Sequence, residues 1–148
     1  MTEERREGRQ LFCRIITPER TIFDDEIDLV ISKIADGEIG VLVDHAPVVS
    51  TVEIGDVRIH QGDERRVFAT SDGFFKVSEN LVQILVEEAI PAGEIDVDEA
   101  ENRVEEATNE LSELTGEEEE IEEAREEIER RIRVGENLVH VARKYEEG

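Results

Sequence analysis

The stretch LVQILVEEAIPAGEIDVDEAENRVEEATNELSELTG, Leu81 to Gly116, carries two different periods. In its first part Val82, Ile84 and Val86 alternate with Gln83, Leu85 and Glu87, the period of two expected of a strand. Leu85 interrupts the polar side of that alternation, so this strand is expected to be buried on both faces. From Ile95 onward the apolar residues are Val97, Ala100, Val104, Ala107, Leu111 and Leu114, at spacings of 3, 4, 3, 4 and 3. That is one narrow stripe along a helix, the pattern of a coiled-coil seam. The chain is therefore predicted to change from sheet to helix near Ile95.

Upstream, the strand pattern extends back to Leu11. The runs LFCRIITP, TIFDDEIDLVISKIA, EIGVLV, VVSTVEI, DVRIHQ, RRVFATS, GFFKVS and LVQILVEEA are short and rich in β-branched residues. Turn signals separate them at Asp36-Gly37, Gly55-Asp56, Gln61-Gly62-Asp63, Asp72-Gly73 and Glu79-Asn80. Short strands and turns at this spacing predict an antiparallel sandwich or barrel with a small core.

Downstream, Asp96 is a good N-cap, and Glu99 three residues later can complete a capping box. Thr115-Gly116 is expected to end the first helix, with Gly116 as the left-handed residue after it. A second helix is predicted from about Glu117 to Tyr145, its leading glutamates at the positive end of the helix dipole. Its stripe reads Ile121, Ala124, Ile128, Ile132, Gly135, Val139 and Ala142, and after Val134 the apolar face widens to include Leu138, Val141 and Tyr145. The two helices should pair as an antiparallel hairpin. So slim a seam is marginal alone, so the hairpin must dock on the sandwich, bind another chain or switch state. Gly135 is a weak point, costing about 1 kcal/mol relative to Ala in a helix interior. The expected organisation is thus a disordered extension over residues 1–9, an antiparallel β-sandwich over 10–94, and a helical hairpin over 95–148.

Charge narrows the partners. Residues 1–94 carry 10 Lys and Arg against 20 Asp and Glu, net −10; residues 95–148 carry 7 against 20, net −13, completing the total of −23. A field of that sign repels phosphate backbones and argues against nucleic acid. The single cysteine, Cys13, has no internal partner, which fits a reducing compartment. No apolar run approaches the roughly 20 residues of a transmembrane helix, and the charged N-terminus MTEERREGRQ does not read as a secretory signal. These features suggest a soluble, cytoplasmic protein that reaches a membrane only through other proteins.

No catalytic constellation stands out. His45, His60 and His140 do not pair with each other or with Cys13 at a metal-ligand spacing. Nucleophile, phosphate-loop and dinucleotide motifs are missing, and GEIG has too few glycines for a phosphate cradle. The reading is a non-enzyme without cofactor or metal. For His45 two readings stay open: a loop residue whose ring caps a neighbouring carbonyl, or a contact residue on an exposed loop. Ala46 precedes Pro47 and so favours extended geometry. Glu38 is either solvated surface or a presented contact, since Gly37 and Gly40 flank it and Ile39.

Gly37-Glu38-Ile39-Gly40-Val41-Leu42, followed by His45-Ala46-Pro47, resembles the most recognisable motif of the epsilon subunit of F-type ATP synthase. SDGFFKVSENLVQILVEEAI, Ser71 to Ile90, resembles that family's later strand pair. The resemblance covers Leu11 to about Glu113, and the order of domains carries it through the second helix. It implies a β-sandwich of about ten strands followed by a helical hairpin. It further implies a peripheral rotor subunit of the central stalk, at the cytoplasmic face of the cell membrane. The sandwich would bind the gamma subunit and rest on the c-ring, helping to couple proton flow to ATP synthesis. The hairpin would be able to inhibit ATP hydrolysis by extending toward the alpha and beta subunits.

Residue by residue, the resemblance assigns Glu38 and His45 to the c-ring contact, and Gly37, Gly40 and Pro47 to the shape of the loop. Arg125, Arg130, Arg131, Arg133, Arg143 and Lys144 are its candidates for inhibitory contacts, although Glu127 with Arg131 and Glu126 with Arg130 also read as ordinary i,i+4 pairs. Two departures stand out. Val43-Asp44 replaces the usual Pro or Ala followed by Asn or Gly before the histidine; Asp tolerates such a turn less well and adds a charge. Some relatives bind ATP through Ile/Leu-Asp-x-x-Arg-Ala, but here Ile95-Asp96-Val97-Asp98-Glu99-Ala100 puts Glu99 where the arginine would clasp phosphate. No tight ATP site is expected. An alternative to the whole resemblance is an unrelated adaptor, a small β domain presenting a coiled-coil arm.

Overall fold

A computed structural model describes residues 9–116 and 118–146. The expected N-terminal extension, but for Arg9, and Glu117, the expected first residue of the second helix, lie outside the described residues. The chain divides into two compact units, one up to Pro91 and one from Ala92. The division falls three residues before the change of period, because the last strand ends at Pro91 and the next three residues form a 3-10 turn packed with the second helix.

The first unit has ten strands: β1 Leu11–Ile16, β2 Thr21–Ile27, β3 Leu29–Ile34, β4 Gly37–Val41, β5 Val48–Val52, β6 Gly55–Gln61, β7 Glu64–Thr70, β8 Gly73–Ser78, β9 Leu81–Val86 and β10 Ala89–Pro91. Hydrogen bonds link them in the order β10-β7-β6-β3-β5-β8-β9-β1-β2, with β4 beside β3. β3 meets β5 at a single pair, Ile34 and Val52, which links the two halves of the sheet. Inward residues from the two halves form one core, among them Ile15, Val30, Ile59, Phe75 and Ile84. Phe23 of β2 packs edge-on against Phe68 of β7, with ring centroids 5.8 Å apart.

Two of the apolar runs divide into two strands each. The first breaks at Asp28, whose amide donates to the His60 carbonyl (2.8 Å) and whose carboxylate accepts from the Gly62 amide (2.6 Å). The second breaks at Glu87-Glu88, whose amides both donate to Ser71 Oγ at 3.1 Å. Neighbouring strands are antiparallel except β1 and β9, which run parallel from Phe12 opposite Leu81 to Ile16 opposite Leu85. Most of the domain intervenes between those two strands, which gives the long connection a parallel pair needs. Strand β9 is not buried on both faces: Leu85 is 44% exposed, because it stands opposite Phe74 on the outer face.

The second unit contains the 3-10 turn Ala92–Glu94 and the helices α1, Val97–Ser112, and α2, Glu118–Lys144. Asp96 caps α1 by accepting from the Glu99 amide (3.1 Å). Only this half of the capping box is formed among the described residues. Helix α1 ends earlier than Thr115-Gly116: its last turn tightens, with Glu113 and Leu114 amides reaching back three residues, and Gly116 takes its positive φ in the loop beyond. Arg143 bonds Glu101 near the start of α1 and Arg131 bonds Glu110 near its end, so the helices are antiparallel.

The seam uses Ala100 and Ala107 from α1 and Ile128, Val134, Gly135, Leu138 and Val141 from α2. Beyond Ile128 the buried line therefore runs through residues that the stripe had assigned to a widened face. Ile132 and Val139 flank it, half-buried, because buried positions recur every 3.6 residues from Ile128. Gly135 is a point of closest approach. A Cβ there would lie 2.7 Å from Val104 Cγ2.

Candidate functional site

The β3–β4 hairpin and the loop after β4 carry the residues singled out by the motif. Gly37 opens β4 at φ 119°, a backbone that only glycine adopts readily, and this makes the hairpin turn. Gly40 does not share that role. It sits opposite Ile31 without a positive φ, and a Cβ would make ordinary contact with Leu29 at 3.7 Å. Pro47 is exposed and leads into β5.

Glu38 projects beside Lys33 in the register and accepts from Arg58 Nη2 of β6. Arg58 Nε lies 3.6 Å from Asp56 Oδ1, and both side chains are largely covered, whereas Glu38 is well exposed. Glu38 is thus a presented carboxylate braced from behind by a guanidinium. His45 stands beyond the other end of β4. The strand rises roughly 13 Å, so the two residues are not gathered into one cluster. The His45 amide donates to the Leu42 carbonyl (3.2 Å), closing a turn, and its Nδ1 lies 2.7 Å from the Ala46 carbonyl. With Nδ1 as donor, Nε2 is left as an acceptor. Leu42, Val43 and Val49 are exposed apolar residues near it in the chain.

Between Leu42 and His45, Asp44 adopts φ 67°. Its amide donates to Asn80 Oδ1 (2.6 Å), Asn80 Nδ2 donates to its Oδ1 (3.1 Å), and Arg9 reaches its Oδ2 (2.6 Å). The Asn80 hydrogen bond foremost, with Arg9 adding to it, holds the Asp44 carboxyl below the usual carboxylate range.

A second surface was not legible as a site in the sequence. On the outer face of the sheet Phe74 stands opposite Leu85, and Leu85 opposite Ile16. Phe12 lies two rows away on the same face, opposite Leu81. Phe74 is 63% exposed and Phe12 40%. Between these apolar rows runs Lys76–Gln83–Arg14, aligned across β8, β9 and β1. The available signal was Phe74-Phe75: adjacent strand residues face opposite ways, so one phenylalanine must point outward.

The six basic residues of α2 are spread from Arg125 to Lys144. Arg131 Nη2 bonds Glu110 (2.8 Å) and Arg143 Nη2 bonds Glu101 (3.0 Å), both across the hairpin, so Arg131 takes a partner on α1 in place of Glu127. Lys144 Nζ sits 5.4 Å from the Tyr145 ring centroid. Arg125 and Arg133 are exposed, and Arg130 is half-buried. Among the described residues no group of three or more His, Cys, Asp or Glu could hold a metal ion, and no helix is long and apolar enough to cross a membrane.

Residues 10–92 match the family described as ATP synthase, Delta/Epsilon chain, beta-sandwich domain. Over 143 residues the chain is 68% identical to the ATP synthase epsilon chain of Rubrobacter xylanophilus, covering 96% of this chain and 98% of that one. The chain belongs to the ATP synthase epsilon family. Its fold is similar to a chain in the cryo-EM structure of the Euglena gracilis mitochondrial ATP synthase, OSCP/F1/c-ring, with TM-score 0.69 and 23% identity over 87% of this chain and 79% of that one. It is also similar to one in the Tetrahymena thermophila mitochondrial ATP synthase central stalk and c-ring, with TM-score 0.61 and 12% identity over 87% and 96%. At those identities the likeness is one of fold.

As an epsilon-type chain it is a subunit of an ATP synthase and not its catalytic one. Two residues of the epsilon motif Ser71-Asp72-Gly73 have structural roles here. Ser71 is buried, and its Oγ accepts both amides of the β9–β10 break. A Cβ on Gly73 would fall 2.0 Å from the Leu85 carbonyl oxygen, so the close approach of β8 and β9 needs glycine.

Proposed function

We propose that this epsilon-type subunit works in the rotor of a proton-translocating F-type ATP synthase, transmitting c-ring rotation through gamma, peripheral at the cytoplasmic face of the cell membrane. The observation that carries the reading is the outer face bearing Phe12, Phe74 and Leu85, exposed apolar residues on a chain of net charge −23. Such a face is stable in water only at a cost and is suited to burial against a partner. Gamma is the partner assigned to it, with acidic groups to meet Lys76, which has no ion pair among the described residues. Glu38 is assigned to the c-ring as an acceptor for basic or amide groups of its polar loop, and the His45 loop as a second, separate contact. Co-purification with gamma and the c-ring tests this. Phe74→Glu is expected to abolish retention of gamma while the sandwich stays folded; retention unchanged would refute the assignment.

The basic residues of α2, Arg125, Arg130, Arg131, Arg133, Arg143 and Lys144, are proposed to meet alpha and beta subunits when the hairpin inhibits hydrolysis. Deleting residues 117–148 should then raise the ATPase rate of the reconstituted head, and an unchanged rate would count against it. Glu99 in place of a phosphate-clasping arginine supports the absence of a tight ATP site. Micromolar binding by isothermal titration would overturn that.

A further inference from the structure

Asp44 belongs to one of the two departures of this chain from the epsilon pattern, and its surroundings have a geometry of their own. A left-handed backbone disfavours any residue with a Cβ, and persists only where neighbours hold it. Asp44 holds φ 67° through three contacts from distant segments: two reciprocal hydrogen bonds with Asn80 and an ion pair with Arg9. Asn80 is itself fixed. It is the second of two positive-φ residues, Glu79 at 51° and Asn80 at 63°, in the β8–β9 turn, and its carbonyl accepts the Phe12 amide at 2.9 Å. That turn would form with glycine at position 80, since both central residues need only a positive φ. The Asn80 side chain is therefore surplus to its own turn, yet it spans 36 positions of sequence to meet Asp44. The consequence falls on the next residue. The His45 amide closes the turn onto Leu42 and its ring is fixed on the Ala46 carbonyl.

We propose that Asn80 is a positioning residue for the His45 loop: its amide clamps Asp44 in the turn that presents His45 to the partner, and Arg9 neutralises the charge that Asp44 brings there. The clamp does the work that Asn or Gly does in the usual motif, where the turn residue needs no outside support. The proposal rests on the reading of this loop as a partner contact, and its test separates the two.

The test uses the full-length chain, alone and in the reconstituted ATP synthase. Asn80→Gly keeps the β8–β9 turn and removes only the side chain. Amide exchange at Asp44 is expected to rise about tenfold, the loss of one modest hydrogen bond, and protons pumped per ATP hydrolysed should fall toward the level of His45→Ala. Adding Asp44→Gly should restore pumping, because glycine holds the left-handed turn unaided; a residue that merely stabilised the sandwich would not be rescued in this way. Normal pumping in Asn80→Gly beside an impaired His45→Ala overturns the proposal and leaves the contact reading standing. Failure of Asp44→Gly to restore pumping also overturns it. Normal pumping in His45→Ala overturns the contact reading and the proposal with it.

Discussion

Replacing Gly135 with alanine sets two effects of opposite sign against each other. In an exposed helix interior the change stabilises by about 1 kcal/mol, because glycine loses more backbone freedom on folding. Here the new Cβ would lie 2.7 Å from Val104 Cγ2, where ordinary contact begins at 3.4 Å. Val104 is β-branched and stiff on its helix, so it cannot swing aside cheaply, and the helices must part. Overpacking of this kind costs about 1–3 kcal/mol. The net expectation is a loss of about 1 kcal/mol, the opposite of what helix propensity alone predicts. The assay is urea denaturation of the full chain followed at 222 nm, where the helices dominate the signal. Val104→Ala supplies the control, since it removes the methyl that clashes. In that background Gly135→Ala should stabilise, giving a coupling of at least about 1 kcal/mol across the cycle. Stabilisation by Gly135→Ala in the native background, with coupling below about 0.5 kcal/mol, would show that the notch at Gly135 does not hold the helices together.

Gly73→Ala should be far more damaging, because the obstacle is the Leu85 carbonyl at 2.0 Å, backbone that cannot rotate away; loss of the cooperative sheet transition in circular dichroism is expected, and a native-like melt would refute the contact. Burial, with a smaller effect of the Asp24 carboxylate, pushes the Cys13 thiol up to about 12. The thiolate, the reactive form, is thus disfavoured in the fold, and a disulfide reagent at pH 8 should label Cys13 only as fast as the sandwich unfolds. For Asp44 the shift runs downward, so proton uptake opposes the folded loop. Its contribution is complete above the ordinary Asp value of about 3.9 and drains as pH falls through the lower folded value. Exchange at the Asp44 amide, corrected for intrinsic rate, should accelerate on acidification below that point, and Asp44→Asn should lack this extra dependence.

What could be read in the sequence was local. The change from period two to a 3,4 spacing near Ile95 marks the division into sheet and helices, because each element's own periodicity dictates which face it buries. The breaks at Asp28 and Glu87-Glu88 escaped, since a polar residue inside an apolar run reads as an outward strand position until its backbone partners, His60 and Ser71, are known. Leu85 was misplaced for the same reason. An apolar residue on the polar side of a strand signals either a second core or a docking face, and only the neighbour Phe74 tells which. The motif points to Glu38 and His45 as candidates, but Arg58 and Asn80, which brace Glu38 and the His45 loop, lie 20 and 36 residues from the groups they hold. Those pairings follow from the strand order and cannot be seen from spacing along the chain.

The cross-helix ion pairs bear on how an inhibitory hairpin would work. Had Arg131 paired with Glu127 on its own helix, it could exchange partners without disturbing the hairpin. Its bond to Glu110, like that of Arg143 to Glu101, joins the two helices. Under the proposed inhibition, a catalytic subunit that drew these arginines away would therefore also loosen α1 from α2, and conversely a closed hairpin would withhold them. The pairs themselves are weak barriers, worth about 0.2–1 kcal/mol each at exposed positions. The larger resistance is the seam, in which, among the described residues, Ile128, Val134, Leu138 and Val141 are the buried branched side chains on α2 and two alanines are the buried apolar residues on α1. Alanines at the seam bring the helices close but contribute little transfer energy of their own. The proposed switch is thus set by the Gly135–Val104 notch and this short aliphatic line, with the arginines deciding which partner gains once it opens. Charge reversal at Glu110 and Glu101 should accordingly favour the open hairpin and strengthen inhibition, whereas weakened inhibition would indicate that the arginines act from the closed state.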